Sequence, residues 1–133
     1  MVIPNSSDLM HWEIGDHGFA MGLSPLVPET VGAALLPWLR DWLKEQAIDL
    51  EAVTSWAVHP GGPKILSTCA EVLSLDPGLL HESRGILQDH GNMSSATILF
   101  ILDRLRRRST PGPCLALAFG PGLSAEVALF DFQ

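Results

Sequence analysis

The spacing of apolar residues along the first half of the chain predicts two strands followed by a helix. Residues 11–24 alternate loosely between apolar and polar side chains around three glycines, a pattern of a hairpin or two short strands. A helix is expected to begin at Pro28. Its apolar positions recur at helical spacing and are Val31, Leu35, Trp38, Leu39 and Trp42. Because Pro37 interrupts that run, we expect a kink there or two shorter helices.

The middle of the chain predicts a short strand and two further helices. Residues 54–58 form a brief apolar run that is typical of a buried strand, and Pro63 can open the helix that follows. The pair Asp76 and Pro77 starts the next helix. That helix should end at Gly91, where we expect a left-handed cap.

The last third of the chain predicts one helix and a pair of strands. Residues 96–102 are apolar on every side, which indicates a fully buried central helix, and Ser94 and Ser95 can cap it. Two strands follow at residues 114–119 and 125–132, joined by a Gly-Pro-Gly turn and therefore expected to be antiparallel. Strands that alternate with helices favour the α/β class, with a mixed sheet packed against helices.

Composition narrows the class of protein. A chain of 133 residues suits one compact domain, and 47% hydrophobic residues are enough for a core. Only 17% of the residues are charged, which suggests that another domain or subunit covers part of the surface. A net charge of −7 argues against nucleic-acid binding. No apolar stretch has membrane-spanning length and the start is too polar for a signal peptide, so we expect a cytoplasmic protein with no membrane contact.

The cysteines and histidines do not have the spacing of a metal site. Cys69 and Cys114 lie far apart in apolar surroundings, so we interpret both as small core residues of a protein in a reducing compartment. The other histidines show no ligand spacing with His59, and no metal site is expected.

Three junctions between predicted elements contain residues that could carry chemistry. His59 follows a buried strand directly and precedes Pro-Gly-Gly, and ligands collect at such strand ends in α/β sheets. Asn92 lies between a helix-ending glycine and the next helix, and residues 119–122 form a tight loop between two strands. Each also has a purely structural interpretation, as a satisfied histidine, a turn asparagine and an ordinary turn.

A resemblance to a known family changes that balance. Three segments carry it: Trp-Ala-Val-His-Pro-Gly-Gly-Pro at residues 56–63, Gly-Asn-Met-Ser-Ser-Ala at residues 91–96, and Phe-Gly-Pro-Gly-Leu at residues 119–123. They resemble signature segments of chalcone-synthase-like (type III) polyketide synthases, in the same order and at similar separations. The likeness is strong from Trp56 onward and weak over the first fifty residues. It implies that the chain is a single domain, residues 1–133, forming the C-terminal half of a thiolase-like fold in a homodimer.

The resemblance also implies a reaction. In that family a cysteine of the N-terminal half attacks a starter acyl-CoA, and malonyl-CoA then extends the chain by decarboxylative condensation. The residues that match the family's catalytic histidine and asparagine are His59 and Asn92. No cysteine here stands in the nucleophile's sequence context, so we expect the cysteine-bearing half to be absent and the chain alone to be inert. Acyl-CoA and malonyl-CoA are expected as substrates, and no cofactor.

The same resemblance implies further residues that contact substrate or CoA. They are Gly61, Gly62, Lys64, Ser94, Phe119, Gly120, Pro121, Gly122 and Phe19. Lys64 could bind a CoA phosphate from the first turn of its helix, although a solvated surface lysine explains it equally well. The family has a gatekeeping aromatic residue in the strand before the first helix. Phe19 and Met21 are both candidates, and the chemical type favours Phe19.

Three alternatives remain open from the sequence. Initiation-type 3-oxoacyl-carrier-protein synthases share a comparable Gly-Asn motif, but they typically continue His-Gln-Ala-Asn where this chain has His-Pro-Gly-Gly. Hydroxymethylglutaryl-CoA synthases share the fold without these three motifs together. From a different class, the chain could be a noncatalytic dimerisation or regulatory module that is derived from such an enzyme.

Overall fold

The computed structural model describes residues 1–132, which form five strands and four α-helices. The strands are β1 (Met10–Gly15), β2 (Gly18–Leu23), β3 (Ser55–Val58), β4 (Pro113–Gly120) and β5 (Ser124–Asp131). The α-helices are α1 (Val27–Glu45), α2 (Pro63–Val72), α3 (His81–His90) and α4 (Ala96–Arg108). Short 3₁₀-helices lie at Ser7–Leu9, Leu50–Ala52 and Pro77–Leu80. The predicted α/β class is confirmed.

The main sheet is mixed and has the order β3-β4-β5. β3 runs parallel to β4, and β4 pairs antiparallel with β5 from Pro113 opposite Asp131 to Gly120 opposite Ser124. All four residues of β3 are buried, as expected for a parallel strand with a continuous apolar sequence. The antiparallel final pair and the β1–β2 hairpin, both predicted from the sequence, are confirmed.

The sheet separates two hydrophobic cores. On one face, Trp56 and Leu117 pack with the buried sides of α1 and α2. On the other face, Ala57 and Cys114 pack with α3 and α4. Because successive residues of a strand point to opposite faces, the single short strand β3 contributes to both cores. This arrangement holds the carboxyl end of β3, where His59 follows, between two packed layers.

Helix α1 is continuous through Pro37, so the expectation of two shorter helices is wrong. Its buried stripe consists of Val31, Leu35, Leu39 and Leu43. A proline inside a helix costs about 3 kcal/mol, whereas each large apolar side chain that is buried contributes about 1.5–3 kcal/mol. Pro37 lies on the exposed side, and so does Ala33, whose carbonyl loses its helical partner to the proline. That carbonyl can bind water instead.

Helix α4 is amphipathic, so the prediction of a fully buried central helix is wrong. Thr97, Ile101 and Leu105 are buried, but Leu99 is 64% and Phe100 is 48% exposed. The helix packs one stripe against the sheet and α3, and its outer stripe stays largely exposed, with only the ring of His90 close to Phe100. The capping prediction is right in its position at Ser95 and wrong in its side-chain bond. Ser95 is the N-cap, yet its side chain caps no backbone N–H among the described residues.

The end of α3 requires a glycine, although not in the conformation that the sequence predicted. Gly91 has φ +71° and ψ −167°. The positive φ matches the expectation, but this ψ lies outside the left-handed helical region and is open essentially to glycine alone. The backbone therefore leaves α3 in an extended direction, which brings Asn92 back toward the end of β3.

Within residues 1–132, none of the helices combines the length and the apolar character that crossing a membrane requires.

Candidate active site

A cavity of about 350 Å³ lies between the carboxyl end of β3, the start of α2 and the β1–β2 hairpin. His59 comes from the end of β3, and Asn92 comes from the loop between α3 and α4. The walls are largely apolar, and Met21 and Phe119 are among the residues that form them. The cavity therefore brings one imidazole and one carboxamide to an apolar surface.

The backbone of His59 is held by the sheet. Its N–H donates to the carbonyl of Leu117 at 2.8 Å, which extends the pairing of β3 with β4 by one residue. Its carbonyl accepts from the N–H of Gly61 at 3.1 Å, and this bond turns the chain toward α2. Burial lowers the pKa of the imidazole below its ordinary value of about 6.5, because a charged ring would lose hydration there. Burial thus favours the neutral imidazole, which has one N–H to donate.

The carboxamide of Asn92 has a defined orientation. Its Oδ1 accepts a hydrogen bond from the backbone N–H of Ser94 at 2.9 Å. A backbone N–H can only be matched by the oxygen of the amide, so this contact fixes which end is which. The NH₂ group is left as the donor that Asn92 can offer to a molecule in the cavity.

The cavity includes only part of the set predicted from sequence. The predicted residues that line it are His59, Asn92, Gly61, Gly62, Lys64 and Phe119. The predicted residues outside its lining are Ser94, Gly120, Pro121, Gly122 and Phe19. The Gly-Pro-Gly turn instead contacts the hairpin, since the N–H of Gly122 donates to the carbonyl of Met10 at 2.7 Å. That bond positions the hairpin as a wall of the cavity.

The two gatekeeper candidates lie at different positions along the hairpin. Met21 pairs with Trp12 and lines the cavity. Phe19 lies nearer the tip of the hairpin, is 72% exposed, and meets Trp12 edge to face with ring centroids 6.4 Å apart. Of the two candidates, only Met21 is among the residues that line the cavity. Chemical type favoured the aromatic residue, but it contains no information on how far along the hairpin the cavity extends.

Sequence reasoning missed the other hairpin residues of the cavity. Met10 and Leu23 are directly opposed in the register, and both line it together with Val27. Alternate residues of a strand share a face, and opposed residues of an antiparallel pair share it too. Met10 and Leu23 therefore lie on the same face of the hairpin as Met21. Once the hairpin is predicted, this pattern is the signal that could have identified them.

The chain also matches a family model. Residues 1–131 match the model described as "Chalcone and stilbene synthases, C-terminal domain". The chain belongs to that family. The resemblance stated from three short segments is thus confirmed, and it extends over the first fifty residues, where the sequence alone gave a weak likeness.

Relatives and solved structures agree with the family. The chain is 35% identical over 129 residues to the 1,3,6,8-tetrahydroxynaphthalene synthase of Streptomyces peucetius subsp. caesius, covering 95% of the chain and 34% of that protein. A second match is the crystal structure of 1,3,6,8-tetrahydroxynaphthalene synthase from Streptomyces coelicolor A3(2), a bacterial type III polyketide synthase. Its TM-score is 0.91 at 32% identity, and the match covers 100% of this chain and 39% of that one.

A third match is the crystal structure of PKS-I from the brown alga Ectocarpus siliculosus. Its TM-score is 0.91 at 27% identity, and it covers 97% of this chain and 36% of that one. The chain thus spans about a third of the length of the proteins it matches. It has the thiolase-like fold of type III polyketide synthases, and these relatives favour that class over the initiation-type synthases.

Neither cysteine of this C-terminal domain belongs to the cavity. Cys69 on α2 and Cys114 on β4 are both fully buried in the hydrophobic cores. Burial raises the pKa of Cys69 to about 12 and that of Cys114 to about 11. A nucleophilic cysteine requires a lowered pKa and an accessible thiolate, so both are core residues, as predicted.

No group of three or more histidine, cysteine or acidic side chains within residues 1–132 is arranged to hold a metal ion.

Proposed function

We propose that this chain supplies the histidine and the asparagine of the condensation site of a type III polyketide synthase. The reaction joins a starter acyl-CoA to malonyl-CoA by decarboxylative Claisen condensation. The observation that carries the proposal is that His59 and Asn92, far apart in sequence and each in a segment that resembles the family, border one largely apolar cavity.

The two side chains suit the charge that develops in the reaction. Loss of CO₂ from malonyl-CoA leaves an enolate, whose negative charge is on the thioester oxygen. A neutral imidazole and a carboxamide NH₂ both donate hydrogen bonds, and His59 and Asn92 offer these donors to the cavity. The apolar walls exclude water and so increase the contribution of each donor. Their role is therefore to stabilise the enolate.

His59 has a second role in the complete synthase, which is to support the nucleophile. A cysteine thiolate beside the imidazole would favour its protonated form and raise its pKa, opposing the effect of burial. The ion pair would in turn hold the cysteine as thiolate. Because Cys69 and Cys114 are both buried in the cores, this cysteine comes from the N-terminal half of the synthase.

The CoA part of each substrate is assigned to the start of α2. Lys64 is exposed in the first turn of that helix and lines the cavity. Backbone N–H groups and the positive end of the helix dipole already favour an anion there. The proposal thus includes acyl-CoA and malonyl-CoA as substrates, no cofactor, and a cytoplasmic homodimer, as the family resemblance implies.

A chimaeric synthase tests the division of roles. This chain replaces the aligned segment of the Streptomyces peucetius tetrahydroxynaphthalene synthase, with which it aligns over 129 residues. Asn92→Ala should slow decarboxylation of malonyl-CoA by about two to three orders of magnitude and leave starter loading nearly intact. His59→Ala should impair both steps, because it also removes the partner of the thiolate. Loading is read by intact mass, and decarboxylation by release of CO₂.

The matched control is His17→Ala, which removes an exposed histidine between the two hairpin strands. It should leave both steps unchanged. Equal loss of loading in the His59 and Asn92 variants would contradict the assigned roles. A folded chimaera that does not decarboxylate malonyl-CoA would contradict the proposal as a whole.

A further inference from the structure

Two fully buried hydroxyl groups lie directly beside the two site residues. Thr97 and Ser83 are both 0% exposed. The Oγ1 of Thr97 accepts the backbone N–H of Met93 at 2.8 Å, and the Oγ of Ser83 accepts the backbone N–H of Val58 at 3.1 Å. Met93 follows Asn92 in the sequence, and Val58 precedes His59. Each hydroxyl therefore holds the backbone one residue away from a site residue.

We propose that Thr97 and Ser83 are positioning residues that orient Asn92 and His59 toward the cavity. The proposal rests on the function proposed above for those two residues. An apolar side chain of the same size would fill either position without the cost of burying an oxygen, so the hydroxyls need a reason to be there. The two backbone N–H groups give that reason.

The contact of Thr97 ties the loop before α4 to the helix itself. A threonine in a helix commonly donates its hydroxyl back to the carbonyl four residues earlier. Here the hydroxyl accepts from the N–H of the residue four positions earlier, Met93. The same loop contains Gly91 at φ +71° and Ser94 at φ +58°, conformations that persist only when surrounding contacts hold them. Without the hydroxyl, the loop and with it the carboxamide of Asn92 would be free to rearrange.

The contact of Ser83 fixes the end of β3 from its open side. β3 is the edge strand of the described sheet, with β4 on one side only. Residues of a parallel strand alternate between the two sides, so the N–H of His59 points to β4 and that of Val58 points away from it. Ser83, from α3, meets this outward N–H. The strand end is therefore held on both sides immediately before the imidazole.

The positioning role of Thr97 is tested by NMR of the full ¹⁵N-labelled chain. In Thr97→Val the Met93 amide should exchange about fivefold to tenfold faster, as expected for loss of one hydrogen bond. The carboxamide signals of Asn92 should move toward free-amide positions. Thr97→Ser keeps the hydroxyl and should restore both. Thr30→Val is the control, since it removes a threonine hydroxyl that donates to the carbonyl of Leu26 at the start of α1.

The role of Ser83 is tested through the titration of His59. Burial lowers the pKa of that imidazole, so a loosened strand end in Ser83→Ala should shift the midpoint upward, toward the ordinary value. Ser83→Thr should retain the native midpoint. Ser67→Ala, which removes an exposed hydroxyl on α2 that bonds to the carbonyl of Pro63, is the control and should leave the midpoint unchanged.

Unchanged Asn92 carboxamide signals in Thr97→Val, or an unchanged His59 midpoint in Ser83→Ala, would overturn the corresponding assignment. If a variant does not fold, amide hydrogen exchange in the native chain is the test. The Met93 and Val58 amides must then exchange at least about tenfold more slowly than in the unfolded chain. Loss of decarboxylation in Asn92→Ala with no response to Thr97→Val would leave the proposed function standing and remove the positioning role. A response to Thr97→Val without loss of decarboxylation in Asn92→Ala would contradict the proposed function and leave the positioning role standing.

Discussion

At the scale of single residues, the neutrality of His59 is the property with the widest consequences. Burial opposes the charged imidazole, whereas the family reaction at one stage requires an imidazolium beside a thiolate. The chain alone therefore favours the form that donates to an enolate. Under the proposed function, the charged form would arise only beside a cysteine thiolate, so the two proposed roles of His59 are separable in experiments.

The lowered pKa of His59 predicts how stability depends on pH. Between its folded pKa and about 6.5, the unfolded chain binds more protons at this residue than the folded chain does. The contribution of His59 to the free energy of unfolding is therefore fully present above about pH 6.5, and it is lost as the pH falls through the folded pKa. Urea unfolding of the chain from about pH 7.5 to pH 5 should show this loss, and His59→Gln should reduce the slope.

His17→Gln is the matched control for that experiment, because its histidine is exposed in the hairpin turn. The native slope should persist in that variant. A slope that is the same in the native chain and in His59→Gln would show that His59 does not titrate differently on folding.

The buried cysteines predict a chain that resists thiol reagents. At pH 8, a pKa of about 12 leaves about one Cys69 in ten thousand as thiolate, and a pKa of about 11 leaves about one Cys114 in a thousand. The folded chain should therefore remain unmodified by iodoacetamide while the denatured chain reacts at both positions. It should also form no adduct with a labelled acyl-CoA, which intact mass would detect. A stoichiometric adduct on either cysteine would overturn the assignment of the nucleophile to another part of the synthase.

At the scale of elements, the structure is predictable where the local pattern and the packing agree. β3 and β4 are continuous apolar runs that end in turn residues, and both were located from the sequence. α1 and α4 were misjudged for physical reasons that the pattern does not contain. The exposed side of Pro37 tolerates an unpaired carbonyl, and the apolar outer stripe of α4 stays largely exposed among the described residues.

The residues of the candidate site could likewise be predicted only in part. His59 and Asn92 could be located because short motifs fix the local chain around a strand end and a helix start. The contributions of Met10 and Leu23 depend on how the hairpin docks on the Gly-Pro-Gly turn, through the bond from Gly122 to Met10. The alternation within the strands groups both residues with Met21, but the contact that docks this face joins segments far apart in sequence, so local periodicity cannot predict the docking.

The junction between α3 and α4 gives a prediction on stability. Gly91→Ala should lower the free energy of unfolding by about 1–3 kcal/mol, because its φ of +71° with ψ −167° is strained for any residue with a Cβ. Gly62→Ala is the matched comparison. Gly62 has an extended φ of 178°, and the added Cβ meets open space among the described residues. Its cost should stay below about 1 kcal/mol. Urea unfolding of both variants measures the difference, and equal costs would contradict the backbone account of Gly91.

At the scale of the whole molecule, the described part of the chain exposes two apolar surfaces. One is the outer stripe of α4 with Leu99 and Phe100, and the other is the face of the hairpin that includes Ile14 and Phe19. Contiguous apolar surface usually has a partner. The relatives are about three times as long as this chain.

The chain by itself is therefore predicted to self-associate. Sedimentation at increasing concentration should show oligomers, and Leu99→Lys combined with Phe100→Lys should reduce them. Leu26→Lys is the control, because Leu26 is a similarly exposed residue that precedes α1 on a different surface. A chain that remains monomeric at high concentration would contradict the prediction.

The central claim is that His59 and Asn92 act together on the enolate of malonyl-CoA. The most direct measurement is the conversion of malonyl-CoA to acetyl-CoA and CO₂ by the chimaeric synthase after its nucleophilic cysteine has been replaced by alanine. Decarboxylation is then measured without any contribution from the cysteine nucleophile. We predict that it persists, and that Asn92→Ala lowers its rate by about two to three orders of magnitude. A rate that is the same with and without the carboxamide of Asn92 would contradict the account.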